Sequence, residues 1–298
     1  AVNAALYRSV LPAENLLLVN TPTRFNSETT KNLARRLAEN LEAPFVELPI
    51  DSFINETVSQ IDDLQIPFPS DMKTLHLTGF MKENIQARDR STRILATLSS
   101  AFGGIFTCNA NKTELTVGYG TLYGDLSGAL AATADLWKHQ IYALGRTLNR
   151  YFDKNMIPDE IFTVRPSAEL SENQDITKGL GDPLIYEYHD FLFRSFIEPW
   201  NRITPEEILT WYSKNCLEEK LGTPVSIKSI FKTHHDFITD LEKWWNLFAG
   251  FAVAKRIQAP PLLAVSRRPY GYDLRESQIA PYYTDTYIHL KNSLLSNG

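Results

Sequence analysis

The pattern of apolar and polar positions at the start of the chain repeats a simple rhythm. Residues 1–11 (AVNAALYRSVL) carry apolar side chains at helical spacing, and residues 16–20 (LLLVN) form the short apolar run typical of a buried parallel strand. Residues 27–43 return to helical spacing behind Ser27, a suitable helix cap, and residues 44–50 (PFVELPI) return to the strand pattern. The opening of the chain therefore predicts helix, strand, helix and strand in turn.

The rhythm continues to about Pro166. Residues 83–102 predict a long helix, residues 103–109 (GGIFTCN) a strand, and residues 134–152 another helix. Helices alternating with strands predict an α/β fold with a doubly wound parallel sheet that is covered on both faces. After Pro166 the strand signals fade. Helical segments broken by Pro and Gly then predict a helical C-terminal region, which would act as a lid or support.

Composition narrows the classes of function. The net charge of -5 argues against a general nucleic-acid binder, although a local basic cluster can still bind small anions. Cys108 and Cys216 show no CxxC spacing, so they indicate neither a disulfide framework nor a zinc site and favour a reducing compartment. The chain has no run of about eighteen apolar residues and no secretory leader pattern. We therefore expect a cytoplasmic protein that binds neither nucleic acid nor membranes.

Candidate chemistry lies around residues 117–138 (VGYGTLYGDLSGALAATADLWK). Glu114 stands just before this stretch, Asp125 lies inside it next to a glycine, and Lys138 ends it. Carboxylates are the ligand type that Mg²⁺ prefers, and a lysine is a compact cation suited to phosphate. The layout suggests a site for phosphates and a divalent metal ion.

Several segments together carry a resemblance to a known family. They are ENIQARDR, NKTELTVGYGTLYGD, PSAEL and KRIQAPP, in that order along the chain. They resemble the synthetase domain of NAD synthetase, a member of the ATP pyrophosphatase family, and VGYGTLYGD, PSAEL and the later SRRPYG are closer to the glutamine-dependent type than to the ammonia-dependent type. The resemblance implies an adenine nucleotide alpha hydrolase-like fold. Guanosine monophosphate and asparagine synthetases are the alternative amide-forming ATP pyrophosphatases, and they lack the ENIQAR and GYGTLYGD segments.

The resemblance implies the ATP-dependent amidation of nicotinic acid adenine dinucleotide to NAD. ATP would adenylate the substrate carboxylate with loss of pyrophosphate, and ammonia from a glutaminase domain would then displace AMP. Such a reaction needs ATP and Mg²⁺, a cradle for the phosphates and a pocket that excludes water. The resemblance further implies a homodimer or a larger homo-oligomer.

The same resemblance points to parts of the family that these residues do not contain. Family members carry a glycine-rich SGGxDS loop between a first strand and a helix, and Ala1 falls directly after the place where that loop would end. We therefore expect residues 1–298 to form an NAD synthetase domain without that strand and loop, and we expect no glutaminase domain among them. An inactive fragment that keeps only binding or dimerisation surfaces is the alternative.

By resemblance, Glu114 is the Mg²⁺ ligand and, with Lys138, a catalytic residue. The residues implied for ATP binding are Arg88, Asn109, Glu114, Lys138 and Ser167. Asn109 stands where the family often has a threonine, and Ala110 replaces a usual glycine. Taken alone, the residues allow plainer interpretations: a solvated glutamate on a helix, a surface helix lysine, and a serine that caps the next helix.

The residues implied for the dinucleotide substrate are Asn84, Asp125, Lys255 and Arg256. Asn84 lies four residues before Arg88, on the same helical face, and Gly124 allows the backbone beside Asp125 to approach a ligand closely. An aspartate that caps a turn and a solvated basic pair are the alternatives for Asp125 and for residues 255–256. His139 departs from the threonine that the family more often has after the lysine.

Overall fold

The computed structural model describes residues 1–270 and 281–296, so Gly271 of SRRPYG lies outside the described residues. Its helices and strands are α1 Val2–Arg8, β1 Leu18–Asn20, α2 Glu28–Leu41, β2 Phe45–Glu47, α3 Asp51–Ile61, β3 Gln65–Phe68, β4 Asp71–Thr74, α4 Gly79–Arg88, α5 Ala96–Phe102, α6 Lys112–Val117, α7 Lys138–Tyr151, α8 Tyr186–Ile197, α9 Pro205–Ser213, α10 Leu217–Leu221, α11 Ile227–Ile230, α12 His234–Ala249, α13 Ala252–Gln258 and α14 Asp285–Ser296. A π-helical segment, Asp89–Leu95, joins α4 to α5.

The chain divides into two compact units. The first unit contains Ala1–Cys108, Thr121–Ala129 and Ile141–Pro183. The second unit contains Asn109–Gly120, Leu130–Gln140 and the described residues from Leu184 onward. Within residues 1–270 and 281–296, every helix is too short or too polar to span a bilayer.

The first unit has its core where α1, α2 and α7 meet. Leu37 and Leu41 of α2 are spaced by one helical turn and are buried with Val2 of α1 and Leu148 of α7. The Ser27 hydroxyl accepts the N–H of Thr30 at 3.3 Å, which confirms the predicted cap of α2. Apolar spacing on α1 and α2 therefore gave the correct helices and the correct buried faces.

The parallel sheet of the first unit consists of β1 and β2. Their register pairs Leu18 with Phe45 and Asn20 with Glu47. The two strands were predicted from their apolar runs, and helix α2 connects them, as parallel strands require. The β3–β4 hairpin was not predicted, because Pro67 and the polar side chains of β4 weaken the strand signal.

The predicted strand at residues 103–109 was wrong. No strand among the described residues pairs with this segment, and the carbonyl of Phe106 instead accepts the N–H of Ala129 at 3.0 Å. Gly128 lies so close that an added Cβ would be 2.7 Å from the backbone nitrogen of Cys108. The loop that contains Gly128 and Ala129 therefore lies against this segment, where a partner strand would have to form hydrogen bonds.

The second unit is helical, as predicted for the C-terminal region. Its core is rich in aromatic side chains: Phe193 and Phe196 of α8 pack against Trp244 and Trp245 of α12, and both tryptophans are buried. Large aromatic side chains dominate such packing because each one buries a large apolar area.

We expect Gly128→Ala to destabilise the first unit by at least about 2 kcal/mol, because the new Cβ would overlap backbone atoms and Gly128 has a φ of 137°. Urea unfolding followed by circular dichroism measures the loss. Gly79→Ala is the control, since the Cβ would have no neighbour within 4 Å and the position begins α4. A Gly128→Ala variant as stable as the control would contradict the packing described here.

Candidate active site

The candidate residues divide between the two units. Those in the first unit are Asn84, Arg88, Asp125 and Ser167. Those in the second unit are Asn109, Glu114, Lys138, Lys255 and Arg256.

Glu114 is held by the start of the short helix α6. The Asn111 side chain accepts the N–H of Glu114 at 2.9 Å, and Oε2 of Glu114 accepts the N–H of Asn111 at 3.1 Å. This reciprocal pair is a capping box, which the Asn-x-x-Glu spacing favours. The Glu114 side chain is only 18% exposed, so the interpretation as a solvated glutamate is wrong. One carboxylate oxygen is thus fixed at the helix start.

The other oxygen of Glu114 faces Lys138. Glu114 Oε1 lies 3.7 Å from Lys138 Nζ and 3.3 Å from the Tyr186 hydroxyl. The Lys138 ammonium also stands 4.7 Å from the centre of the Tyr186 ring, a cation–π contact. The lysine side chain is 19% exposed, which does not fit a surface helix lysine. The structure therefore brings together the carboxylate and the cation that the sequence singled out, and it adds Tyr186.

A buried ion pair lies next to this group. Lys112, the first residue of α6, donates to Asp135 at 2.9 Å, to the Ser266 hydroxyl at 2.8 Å and to the Arg268 carbonyl at 3.0 Å. Both charged side chains are 0% exposed. Asp135 also accepts the backbone N–H groups of Val265 and Ser266. The pair thereby ties the beginning of α6 to residues 265–268.

Hydrogen bonding decides the charge state of Asp135. Burial raises the pKa of its carboxyl, but hydrogen bonds from Lys112, from the Ser266 hydroxyl and from the two backbone N–H groups outweigh burial and hold that pKa below its usual value. Asp135 is therefore a carboxylate at neutral pH, and it balances the Lys112 charge.

Lys255 and Arg256 are engaged by backbone carbonyls. Lys255 Nζ donates to the carbonyls of Gly118 and Gly120 at 2.7 and 2.6 Å. Arg256 is buried, and its guanidinium donates to the carbonyls of Thr116 and Phe248. The pair is not a solvated one. Its contacts hold the C-terminal end of α6, and the predicted binding of a dinucleotide by these residues stays a prediction.

Asn109 and its neighbour differ in burial. Asn109 is exposed, whereas Ala110 is buried and its carbonyl accepts the Thr133 hydroxyl at 3.3 Å. The predicted contact of Asn109 with ATP stays a prediction.

In the first unit, Asn84 and Asp125 meet at one residue. The Thr121 hydroxyl donates to the Asn84 side chain at 2.7 Å, and the Thr121 N–H donates to Asp125 Oδ1 at 2.7 Å. Arg88 donates to the carbonyl of Leu122 at 3.2 Å. Asp125 therefore caps a turn, and this turn is bound to the same helix α4 that carries Asn84 and Arg88.

Gly124 lets this turn pack closely on α4, and Arg90 lies just after α4 in the π-helical segment. A Cβ on Gly124 would lie 3.1 Å from the Cβ of Ala87, so the glycine permits the close approach of the loop to α4. Arg90 donates to the carbonyl of Thr21 at 3.2 Å. Burial lowers the pKa of the Arg90 guanidinium, and the nearby charges of Asp125, Asp89 and Asp51 act in the opposite direction.

Ser167 stabilises a loop in place of a helix cap. Its hydroxyl donates to the carbonyl of Gln174 at 2.6 Å and accepts the N–H of Glu169 at 3.1 Å. Gln86 of α4 donates to the carbonyl of Leu170 at 2.8 Å, so the PSAEL segment is bound to α4. The alternative role, a cap for the next helix, is wrong, because Ser171 precedes the following 3-10 turn.

The described residues contain one group of side chains that could hold a metal ion. Among the described residues, Asp62, Asp63 and His76 form the group of three acidic or imidazole side chains close enough to share an ion. Asp62 already accepts Lys82 and the N–H of Leu77, and the other two side chains are exposed. This group does not include Glu114.

A model of the NAD synthase family matches residues 1–229. The chain belongs to the NAD synthase family. A glutamine-dependent NAD(+) synthetase of Thermotoga maritima is 33% identical over 205 residues, which cover 69% of this chain and 33% of that protein. An NH(3)-dependent NAD(+) synthetase of Helicobacter hepaticus is 31% identical over 223 residues, which cover 74% of this chain and 75% of that protein.

A solved structure of the same family supports the fold. The glutamine-dependent NAD(+) synthetase of Cytophaga hutchinsonii matches 93% of this chain and 40% of that chain, with a TM-score of 0.62 and 18% identity. This likeness confirms the α/β, adenine nucleotide alpha hydrolase-like class. The chain spans 33% of the length of the Thermotoga maritima relative, so it corresponds to about a third of that protein.

Sequence reasoning missed several residues that surround Glu114 and Lys138 in this NAD synthase family member. They are Lys112, Thr113, Asp135, Tyr186 and Asp190. Only the Asn-x-x-Glu capping signal gave any indication of the local structure. Lys112 and Thr113 directly precede Glu114, but the sequence does not show which residues they contact. Asp135, Tyr186 and Asp190 lie farther along the chain, and no spacing in one sequence links them to Glu114.

We expect Asp135→Asn to lower the free energy of unfolding of the second unit by about 3 kcal/mol at neutral pH, because it removes the nearest counter-ion of the buried Lys112 and leaves only Glu198, 3.6 Å away. The folded-state pKa of Asp135 is lowered, so its contribution is present above the unfolded value and is lost as the pH falls through the folded value. The difference between wild type and variant should therefore shrink below a pH of about 3.9.

Tryptophan fluorescence during urea unfolding is a suitable measurement. The tryptophans, Trp137, Trp200, Trp211, Trp244 and Trp245, all belong to the second unit. Glu219→Gln, which removes an exposed carboxylate of that unit, is the control and should leave the unfolding curve almost unchanged. Equal curves for Asp135→Asn and the control at neutral pH would contradict the assigned role of the ion pair.

Proposed function

We propose that the protein containing this chain catalyses the ATP-dependent amidation of nicotinic acid adenine dinucleotide to NAD. The substrate carboxylate attacks the α-phosphorus of ATP and pyrophosphate leaves. Ammonia then attacks the acyl carbon, loses a proton, and AMP leaves with the carbon–oxygen bond electrons. Support comes from the family membership and from the names of the relatives, which include both glutamine-dependent and NH(3)-dependent NAD(+) synthetases.

The pair formed by Glu114 and Lys138 is the observation that carries this proposal. A carboxylate and an ammonium 3.7 Å apart, each about four-fifths buried, provide one ligand for a metal ion and one donor for phosphate. The capping box fixes one oxygen of Glu114 and leaves Oε1 directed to the lysine. Such preorganised charges stabilise a transition state better than mobile ones do.

Glu114 has the chemistry needed for the Mg²⁺ that we include in the proposal. Mg²⁺ sites of nucleotide enzymes take one or two protein carboxylates together with substrate phosphates. When bound, the ion would neutralise charge on the departing pyrophosphate. Lys138 would bind an ATP phosphate, and Tyr186 would hold the ammonium of Lys138 in place through its ring.

The other assignments are part of the same proposal. Arg88, Asn109 and Ser167 would contact ATP, and Asn84 and Asp125 would contact the dinucleotide. The shared contact of the last two with Thr121 supports a common role for them. Lys255 and Arg256 have less support, because both donate to backbone carbonyls in the structure.

We also propose that ammonia comes from a glutaminase domain of the same protein and that the enzyme is a homodimer or a larger homo-oligomer. The names of the glutamine-dependent relatives support the first point. We propose a cytoplasmic location, which suits a chain with only two cysteines and no CxxC spacing.

The test is pyrophosphate release by the complete natural protein, with ATP, Mg²⁺, nicotinic acid adenine dinucleotide and ammonia. Glu114→Gln is the informative variant, because glutamine can still form the capping box but cannot supply a negative ligand. We expect Glu114→Gln and Glu114→Ala to reduce kcat by on the order of a hundredfold or more, as loss of several kcal/mol of metal stabilisation requires.

Control variants distinguish the loss of the negative charge of Glu114 from a loss of the folded structure. Glu28→Gln changes an exposed glutamate that pairs with Lys31, and it should keep wild-type activity. Full activity of Glu114→Gln together with low activity of Glu114→Ala would show that Glu114 serves the helix cap alone. Absence of dinucleotide-dependent pyrophosphate from a folded wild-type protein would reject the proposed reaction and favour the inactive fragment.

A further inference from the structure

A fully buried carboxylate on α8 touches both elements that carry the catalytic pair. Asp190 is 0% exposed. Its Oδ1 accepts the hydroxyl of Thr113, the residue before Glu114. Its Oδ2 accepts the backbone N–H of His139, the residue after Lys138, at 2.8 Å. One carboxylate thus contacts the immediate neighbours of both proposed catalytic residues.

Thr113 extends this connection to Lys138 itself. The backbone N–H of Lys138 donates to the Thr113 hydroxyl oxygen at 3.3 Å, while the hydroxyl proton goes to Asp190. The first two backbone N–H groups of α7 are therefore satisfied by one chain of contacts that ends on a single carboxylate. The first amides of a helix need such partners, and a negative charge is favoured at that end.

His139 adds a second contact to the same carboxylate oxygen. Its ring nitrogen Nδ1 lies 2.8 Å from Asp190 Oδ2, and the ring stacks on Phe191 with the centroids 5.2 Å apart. Because a carboxylate only accepts, Nδ1 carries a proton in this arrangement. Asp190 therefore receives three donors, which satisfies a charge that would be costly to bury alone.

The same helix also contacts the catalytic pair directly. Tyr186 lies four residues before Asp190 on α8, so both side chains lie on one helical face. Tyr186 contacts Glu114 Oε1 and Lys138 Nζ, whereas Asp190 holds the backbone next to them. α8 therefore supports the pair at two points, one turn apart.

We propose that Asp190 is the positioning residue that sets the distance between Glu114 and Lys138. This inference rests on the reaction proposed above. Asp190 acts through Thr113 and the start of α7 and needs no contact with substrate. An asparagine would not replace it, since its amide would donate to the Thr113 oxygen. The Thr113 hydroxyl would then lose its acceptor, and the Lys138 N–H would compete for the same oxygen.

Three variants test the connection: Asp190→Asn, Thr113→Val, which removes the hydroxyl and keeps the shape of the side chain, and the double variant. Glu242→Gln is the matched control. Glu242 of α12 is a carboxylate of the same unit, and the hydrogen bonds that it accepts come from Tyr287 and Lys291 of α14. Steady-state pyrophosphate release gives kcat and the KM for ATP. Amide hydrogen exchange of a peptide covering residues 136–141 reports on the start of α7 without requiring activity.

We expect Asp190→Asn to lower kcat by about tenfold to a hundredfold, the range for partners that orient a metal ligand, with a much smaller change in the KM for ATP. Thr113→Val should lower kcat in the same direction. The double variant should match Asp190→Asn alone, because both changes break one connection. Exchange in residues 136–141 should become faster in all three and stay unchanged in Glu242→Gln.

Other results would overturn the inference. An active wild type with near-normal kcat in Asp190→Asn and Thr113→Val would do so, and so would a double variant whose loss equals the product of the single losses. If Asp190→Asn does not fold, Thr113→Val alone decides by the same two readouts. If wild type releases no pyrophosphate, the proposed function fails, and hydrogen exchange then decides: unchanged protection of residues 136–141 rejects the positioning, whereas lost protection supports it.

Discussion

The ion pair between Lys112 and Asp135 is the constraint on which the second unit depends most. Two opposite charges without any exposure lose their hydration, and their mutual attraction repays that cost only when the remaining donors and acceptors are also satisfied. Here Ser266 and the backbone of residues 265–268 satisfy them. The pair can therefore form with all its hydrogen bonds only when the start of α6, the segment around Asp135 and residues 265–268 are in place together. This requirement favours one arrangement at the start of α6.

Helix α6 is short, and tertiary contacts fix both its conformation and the positions of its side chains. Six residues are too few for a stable helix in water, so its conformation comes from tertiary contacts. Successive residues point about 100° apart, and each meets a different partner. Lys112 binds Asp135, Thr113 binds Asp190, and Glu114 closes the cap and faces Lys138. The position of the candidate metal ligand is thus determined by its two neighbours in sequence.

The sequence predicted what local periodicity and motif order can encode. Helices α1 and α2 and strands β1 and β2 belong to this group, and the motifs also singled out Glu114 and Lys138, which lie 3.7 Å apart in the structure. The predicted strand at residues 103–109 was wrong because an apolar run does not show whether a partner strand is available. In the structure, the loop around Gly128 lies against this segment. Tyr186 and Asp190 were missed for another reason. Their contacts depend on how α8 packs against other helices, and the apolar spacing of α8 does not show which residues its polar side chains will contact.

His139 shows that a departure from a family pattern need not weaken a site. The contact that matters at this position is the backbone N–H to Asp190, and any residue except proline supplies it. A threonine would keep that bond, whereas histidine adds a ring contact to the same oxygen and a stacked partner in Phe191. The substitution therefore preserves the connection between α7 and α8. His139 therefore gives no reason to prefer an inactive fragment.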